Sequence, residues 1–92
     1  MQQKLEYINK GRGGYVIYKD DINELKLFFE YGGGNCVAII YLPTIKKWLQ
    51  ETKISIEKLE KIVRFIAEQS IKDQAPNCNY ELHNDCIILL TQ

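Results

Sequence analysis

Apolar residues nowhere run for the ~18 positions that a membrane-spanning helix needs, and no such span is expected in this chain of 92 residues. The opening stretch, MQQKLEYINKGRGG, is polar from its second residue and has no apolar core of the kind a signal peptide carries. The expected location is the cytoplasm. A surplus of charge is also missing: 12 basic and 12 acidic residues cancel over the whole chain. They cancel locally as well, five against five in residues 1 to 31 and seven basic against five acidic in residues 44 to 73. Without a cationic stripe to exchange counterions for phosphates, nucleic acid is not an expected partner. No segment is rich enough in proline, glycine or serine to be a linker and no repeat is visible, so residues 1–92 are read as a single domain.

Histidine is almost absent, with His83 alone, and this narrows the catalytic options. Nucleophilic catalysis needs a thiol or hydroxyl beside a base and an orienting group. A cysteine with His83 and Asp85 is the only such set that can be drawn, and its two polar members fall in a turn. The three cysteines, Cys36, Cys78 and Cys86, are odd in number and follow no export signal, which suits reduced thiols packed as small hydrophobes. Cys78, His83 and Cys86 with Cys36 make four nominal zinc ligands, but the closely spaced pairs of a zinc knuckle are lacking. No carboxylate pair stands apart from basic neighbours for acid–base work. GRGGY and YGGGN are glycine-rich, yet neither leads through a Lys-Ser or Lys-Thr into a helix, so they read as turns rather than phosphate loops. No catalytic residue, cofactor or metal is therefore expected.

What the chain does contain is a strand-rich first half and a helical third quarter. GYVIYK (14–19) and ELKLFFEY (24–31), separated by Asp20, Asp21, Ile22 and Asn23, predict a hairpin. Leu25, Leu27 and Phe29 alternate with Glu24, Lys26, Phe28 and Glu30, as in a sheet covered on one side. CVAIIYL (36–42) suits a central strand, entered through the reversal at Gly32, Gly33, Gly34 and Asn35 and ended by Pro43. Thr44 can cap a short helix from Ile45 to about Glu51.

Ser55 can cap a longer helix from Ile56 to about Asp73, with Ile56, Leu59, Ile62, Val63, Ile66 and Ser70 on one side. After Pro76 and Asn77, NYEL and CIILLT flank His83, Asn84 and Asp85 and fit either one bulged strand or a tight hairpin. The expected fold is α+β: an antiparallel sheet of four to five strands in the order β-β-β-α-α-β, with helices packed on one face.

YLPTIKKW (41–48) followed by ISIEKLEKIVRFI (54–66), after an early hairpin, resembles a family of small bacterial immunity proteins that neutralise polymorphic toxins. Tyr41, Leu42, Ile45 and Trp48 carry the first part of the likeness, and Ile54, Ser55, Glu57, Glu60, Ile62 and Ile66 the second. The resemblance covers the middle third of the chain. The chain departs from that family after the tryptophan, where Leu49 to Lys53 stand in place of an acidic, proline-bearing loop. It implies no catalysis, only a fold and a protein partner, with a cognate toxin domain as that partner.

The partner-binding candidates are Lys46, Lys47, Trp48, Tyr41 and Phe65. Trp48, the lone tryptophan, is expected to plug the core over Phe65, with its indole N–H hydrogen-bonded at the rim. The other reading makes it an interface anchor. With Trp48 in the core, Lys46 and Lys47 would meet an acidic partner. Two further classes stay open. An oligomerising structural domain would show an apolar outer face, with Phe28, Tyr18 and Tyr31 as its candidates, and a thiol or zinc enzyme would use the cysteines. The expected assembly is a monomer or a homodimer.

Overall fold

A computed structural model of the protein describes residues 3–52 and 54–91. Its elements run β1 (Lys4–Asn9), β2 (Gly13–Lys19), β3 (Glu24–Tyr31), β4 (Cys36–Tyr41), α1 (Ile45–Glu51), α2 (Ile56–Gln74), β5 (Cys78–Leu82) and β6 (Cys86–Thr91). The strands form one six-stranded sheet in the order β1-β2-β3-β4-β6-β5, and every pairing is antiparallel. The α+β class and the antiparallel sheet agree with expectation, whereas four to five strands in the order β-β-β-α-α-β must be corrected to six in the order β-β-β-β-α-α-β-β. The additional first strand is KLEYIN, where Leu5 and Tyr7 alternate with Lys4 and Glu6. The end of the chain is a tight hairpin, closed by the His83 amide donating to the Cys86 carbonyl at 2.9 Å. The irregularity lies in β4 instead, where the register against β6 shifts between Cys36 and Ala38.

The local chemistry explains the boundaries. Pro43 follows β4, and the preceding Leu42 amide turns to the Asp85 carbonyl at 2.8 Å. The Thr44 side chain then accepts from the Lys47 amide at 3.1 Å to start α1, and that of Ser55 accepts from the Lys58 amide at 3.3 Å to start α2. Glu57 in the first turn of α2 and Lys72 in the last complement its dipole. Between β2 and β3, one Asp20 carboxylate oxygen accepts from the amides of Ile22 at 2.8 Å and Asn23 at 2.6 Å. Gly13 and Gly14 are where β2 passes closest to its neighbours. A Cβ on Gly14 would lie 1.8 Å from the Ile8 carbonyl oxygen, and one on Gly13 would lie 2.3 Å from that of Phe29. These glycines are strand residues, as their burial in β2 shows.

Both helices lie on one side of the sheet. α2 touches both edge strands, β1 and β5, so the sheet curls around it, and at the β1 edge the Tyr7 hydroxyl donates to Asp73 at 2.7 Å. Val16, Tyr18, Leu25, Leu27, Phe29, Ile40, Ile87 and Leu89 fill the concave face and meet Trp48, Ile54, Ile62, Ile66 and Ala67. Tyr18 is fully buried, its hydroxyl accepting from Gln3 and donating to Asp20. The apolar side of α2 begins later than the sequence spacing suggests, because Ile56 is half exposed while Ile62, Ile66 and Ser70 are buried. Among the described residues no helix is long and apolar enough to cross a membrane.

Candidate protein-binding face

With the helices on the concave side, strand alternation turns Ile8, Tyr15, Phe28, Tyr41 and Cys86 toward the other. The register aligns them: Ile8 opposes Tyr15, Tyr15 opposes Phe28, and Tyr41 opposes Cys86. Phe28 and Tyr41 bridge β3 and β4 as a stacked pair with centroids 5.9 Å apart. The Tyr15 ring meets Phe28 edge-on, also at 5.9 Å, and Lys26 Nζ sits 4.3 Å from the Tyr15 centroid on the same face. An apolar row thus crosses five of the six strands. Ile39 and Ile88, opposite each other in β4 and β6, widen it.

Charge divides this face. At one end Lys19 pairs with Glu6 and with Glu24, the latter at 3.4 Å. Toward β4 and β6 the outward positions are Ile39, Tyr41, Cys86, Ile88 and Leu90, with Glu30 opposite Ile39 and Glu81 opposite Ile88 at the margins. Partial burial and the nearby Glu30 carboxylate raise the pKa of the Tyr41 phenol, so it stays a neutral hydroxyl. The result is an aromatic and aliphatic patch with a margin of mixed charge, Glu30 and Glu81 at some positions and Lys26 and Lys47 at others. Patches of this kind, uncovered by the fold's own helices, are where proteins contact one another.

The five partner-binding candidates separate when placed in the fold. Tyr41 is on the open face and 40% exposed. Lys46 and Lys47 are exposed on α1, and Lys47 shares with Tyr41, Phe28 and Lys26 a groove of about 400 Å³ at the corner of the sheet. Trp48 is 1% exposed, a core side chain that offers a partner no surface. Among the described residues its indole N–H has no hydrogen-bond partner, contrary to the rim bond expected of it. Phe65 is half-buried and packs edge-on against Tyr18 at 5.8 Å.

The outer-face candidates are corrected too. Tyr18 is in the core, and Tyr31, two positions from Phe29 and in ring contact with it, belongs to the concave side. Only Phe28 lies on the open face. Tyr15, Ile39, Ile88 and Glu30 were missed, although their outward positions in the strand alternation were a usable signal.

The cysteines and His83 can be placed in the same way. The three cysteines are free and half-buried, and no cluster of His, Cys, Asp and Glu among the described residues could hold a metal. Burial and the adjacent Asp85 raise the pKa of the Cys86 thiol, the reverse of an activated nucleophile. His83 lies 3.2 Å from Glu81, its neighbour two residues back. No protein-family model, curated protein or solved structure matches the chain.

Proposed function

We propose that the domain is a non-enzymatic binding protein whose open sheet face contacts a protein partner, and that this partner is a cognate bacterial toxin neutralised by the contact. The observation that carries the reading is the row Tyr15–Phe28–Tyr41 with Ile39 and Ile88, built on a rigid sheet and left uncovered by both helices. Aromatic side chains held in place on regular structure lose little entropy on docking and commonly anchor interfaces. The toxin enters through the resemblance of residues 41–48 and 54–66 to immunity proteins. Glu30 and Glu81 with Lys26 at the margin suit a partner that surrounds its apolar contact with charges of both signs, rather than the purely acidic one expected for Lys46 and Lys47.

The test is to express the product of the reading frame adjacent to this gene and follow growth with and without the present protein. Neutralisation should restore growth, and Phe28→Asp should abolish both rescue and complex formation while the variant stays folded. A non-toxic neighbour, or rescue that survives Phe28→Asp, would count against the proposal.

Self-association is the second reading, favoured by the order Lys26, Phe28, Glu30 on the outward side of β3. A two-fold axis through Phe28 would set Lys26 of one copy against Glu30 of the other, as an isologous contact requires. Light scattering should then show a dimer for the wild type, a monomer for Lys26→Glu alone and a dimer again when Glu30→Lys is added, and a monomeric wild type rules self-association out.

A further inference from the structure

Between the C-terminal half of α2 and the concave face of the sheet lies a cavity of about 120 Å³. Phe29, Ile40 and Leu89 line it from the sheet and Ser70 from the helix, and the exposed Tyr31 and Gln74 mark its mouth. It exists because small side chains face each other: Ser70 and Ala75 at the helical side, Ala38 on β4. The wall is mainly apolar, Tyr7, Asn9, Tyr31 and Gln74 bring polar ends to it, and Ser70 is the polar residue buried in it. Ser70 is 2% exposed, and among the described residues its hydroxyl makes no hydrogen bond of ordinary geometry. Its nearest polar neighbour is the Tyr7 phenol, whose pKa, raised by burial, it lowers as a weak donor without a hydrogen bond of ordinary geometry, while Tyr7 donates its own proton to Asp73 at 2.7 Å. A buried hydroxyl left unpaired is destabilising, and native proteins ordinarily supply a partner.

We infer that this cavity is a binding site for a small neutral molecule, an aromatic ring or short branched chain bearing one hydroxyl or carbonyl group, whose polar atom pairs with Ser70. The volume is close to that at which an apolar protein cavity holds a single aromatic ring. Neutrality follows from the wall, where no Lys, Arg, His, Asp or Glu is present to compensate a charge. The mouth beside Tyr31 and Gln74 gives entry from solvent on the concave side, away from the open sheet face. The site is therefore independent of the protein contact proposed above.

Phenol and benzene are the probes, titrated into the ¹⁵N-labelled protein. Phenol should move the amides of Phe29, Ala38, Ser70 and Leu89 in a saturable way. Ser70→Ala, which removes the hydroxyl and almost no volume, should weaken phenol about tenfold, the equivalent of one hydrogen bond, and leave benzene unchanged. Filling the cavity with Ala38→Leu, or with Ser70→Leu should the first variant not fold, should abolish binding of both probes. The inference is overturned if wild type shows no saturable shift with phenol, if Ser70→Ala binds phenol as well as wild type does, or if the shifts survive filling.

Discussion

Phe28 on β3 and Tyr41 on β4 stack with their ring planes 15° apart and their centroids 5.9 Å apart, on the side of the sheet that neither helix covers. Aromatic pairs contribute about 0.5–1.5 kcal/mol beyond the area they bury. A double-mutant cycle of Phe28→Ala and Tyr41→Ala in urea should recover a coupling of that size. A coupling near zero would mean that the two rings are not held together in solution, and the proposed anchor would lose its rigidity.

Trp48 provides the opposite case, a large side chain with no surface to offer. Trp48→Ala should cost about 3–5 kcal/mol, measured by chemical unfolding. Trp48→Phe keeps a ring and removes the unpartnered indole N–H, so its cost should be at least about 1 kcal/mol smaller. Emission of the native protein should be blue-shifted and resistant to quencher, and a red, easily quenched spectrum would place the indole outside the core.

Along α2, burial should separate two isoleucines that the helical period groups together. Ile66 is fully buried and Ile56 is 47% exposed. Ile66→Ala should destabilise by about 2–5 kcal/mol, and Ile56→Ala by less than about 1 kcal/mol. Equal costs would show that the start of the helix packs more tightly than its exposure suggests.

The glycine-rich stretches were weighed as phosphate loops and can be tested as packing. Gly14→Ala places a methyl against the Ile8 backbone, which cannot yield without parting β1 from β2. A loss of about 3 kcal/mol or more is expected, at the upper end of overpacking effects. Gly33 has open space around the same position, so Gly33→Ala should change stability by less than about 0.5 kcal/mol.

Asp20 links stability to acid. Its carboxylate accepts from the Tyr18 hydroxyl and from the Ile22 and Asn23 amides, which lower its pKa from 3.8 to about 2. A carboxylate whose folded pKa is depressed stabilises the fold above its ordinary pKa and loses that contribution as pH falls through the folded value. Stability should therefore decline between about pH 4 and pH 2, and Asp20→Asn should flatten this part of the curve. An unchanged acid limb in the variant would show that other groups govern it.

The elements that were legible from sequence are those whose signal is local. The alternation of Leu25, Leu27 and Phe29 with charged neighbours, and the Asp20 turn before it, located β2 and β3 to within a residue of their observed bounds. Thr44 and Ser55 marked both helix starts, because a cap is a property of four consecutive residues. β1 was not recognised, since only Leu5 and Tyr7 point inward and its strand character depends on pairing with β2. The candidate face was the least legible feature. Ile8, Tyr15, Phe28, Tyr41 and Cys86 belong to five different strands, and only the register brings them into one row. Residues 41–48 and 54–66 drew attention to Tyr41 but also to Trp48 and Phe65, whose side chains the fold directs inward.

The position of β6 has a consequence for how the chain comes off the ribosome. This strand, the last in sequence among the described residues, is inserted between β4 and β5 and pairs with both. Until residues 86–91 emerge from the exit tunnel, the β1–β4 meander has an unpaired edge along Cys36–Tyr41 and β5 has no neighbour in the sheet. Local hairpins can form before that, but closing the sheet must wait for β6 and spans both helices, the slow, non-local kind of step. A nascent chain stalled before Cys86 would expose the apolar edge of β4 to any strand nearby, so this protein has a short interval of vulnerability to aggregation each time it is made.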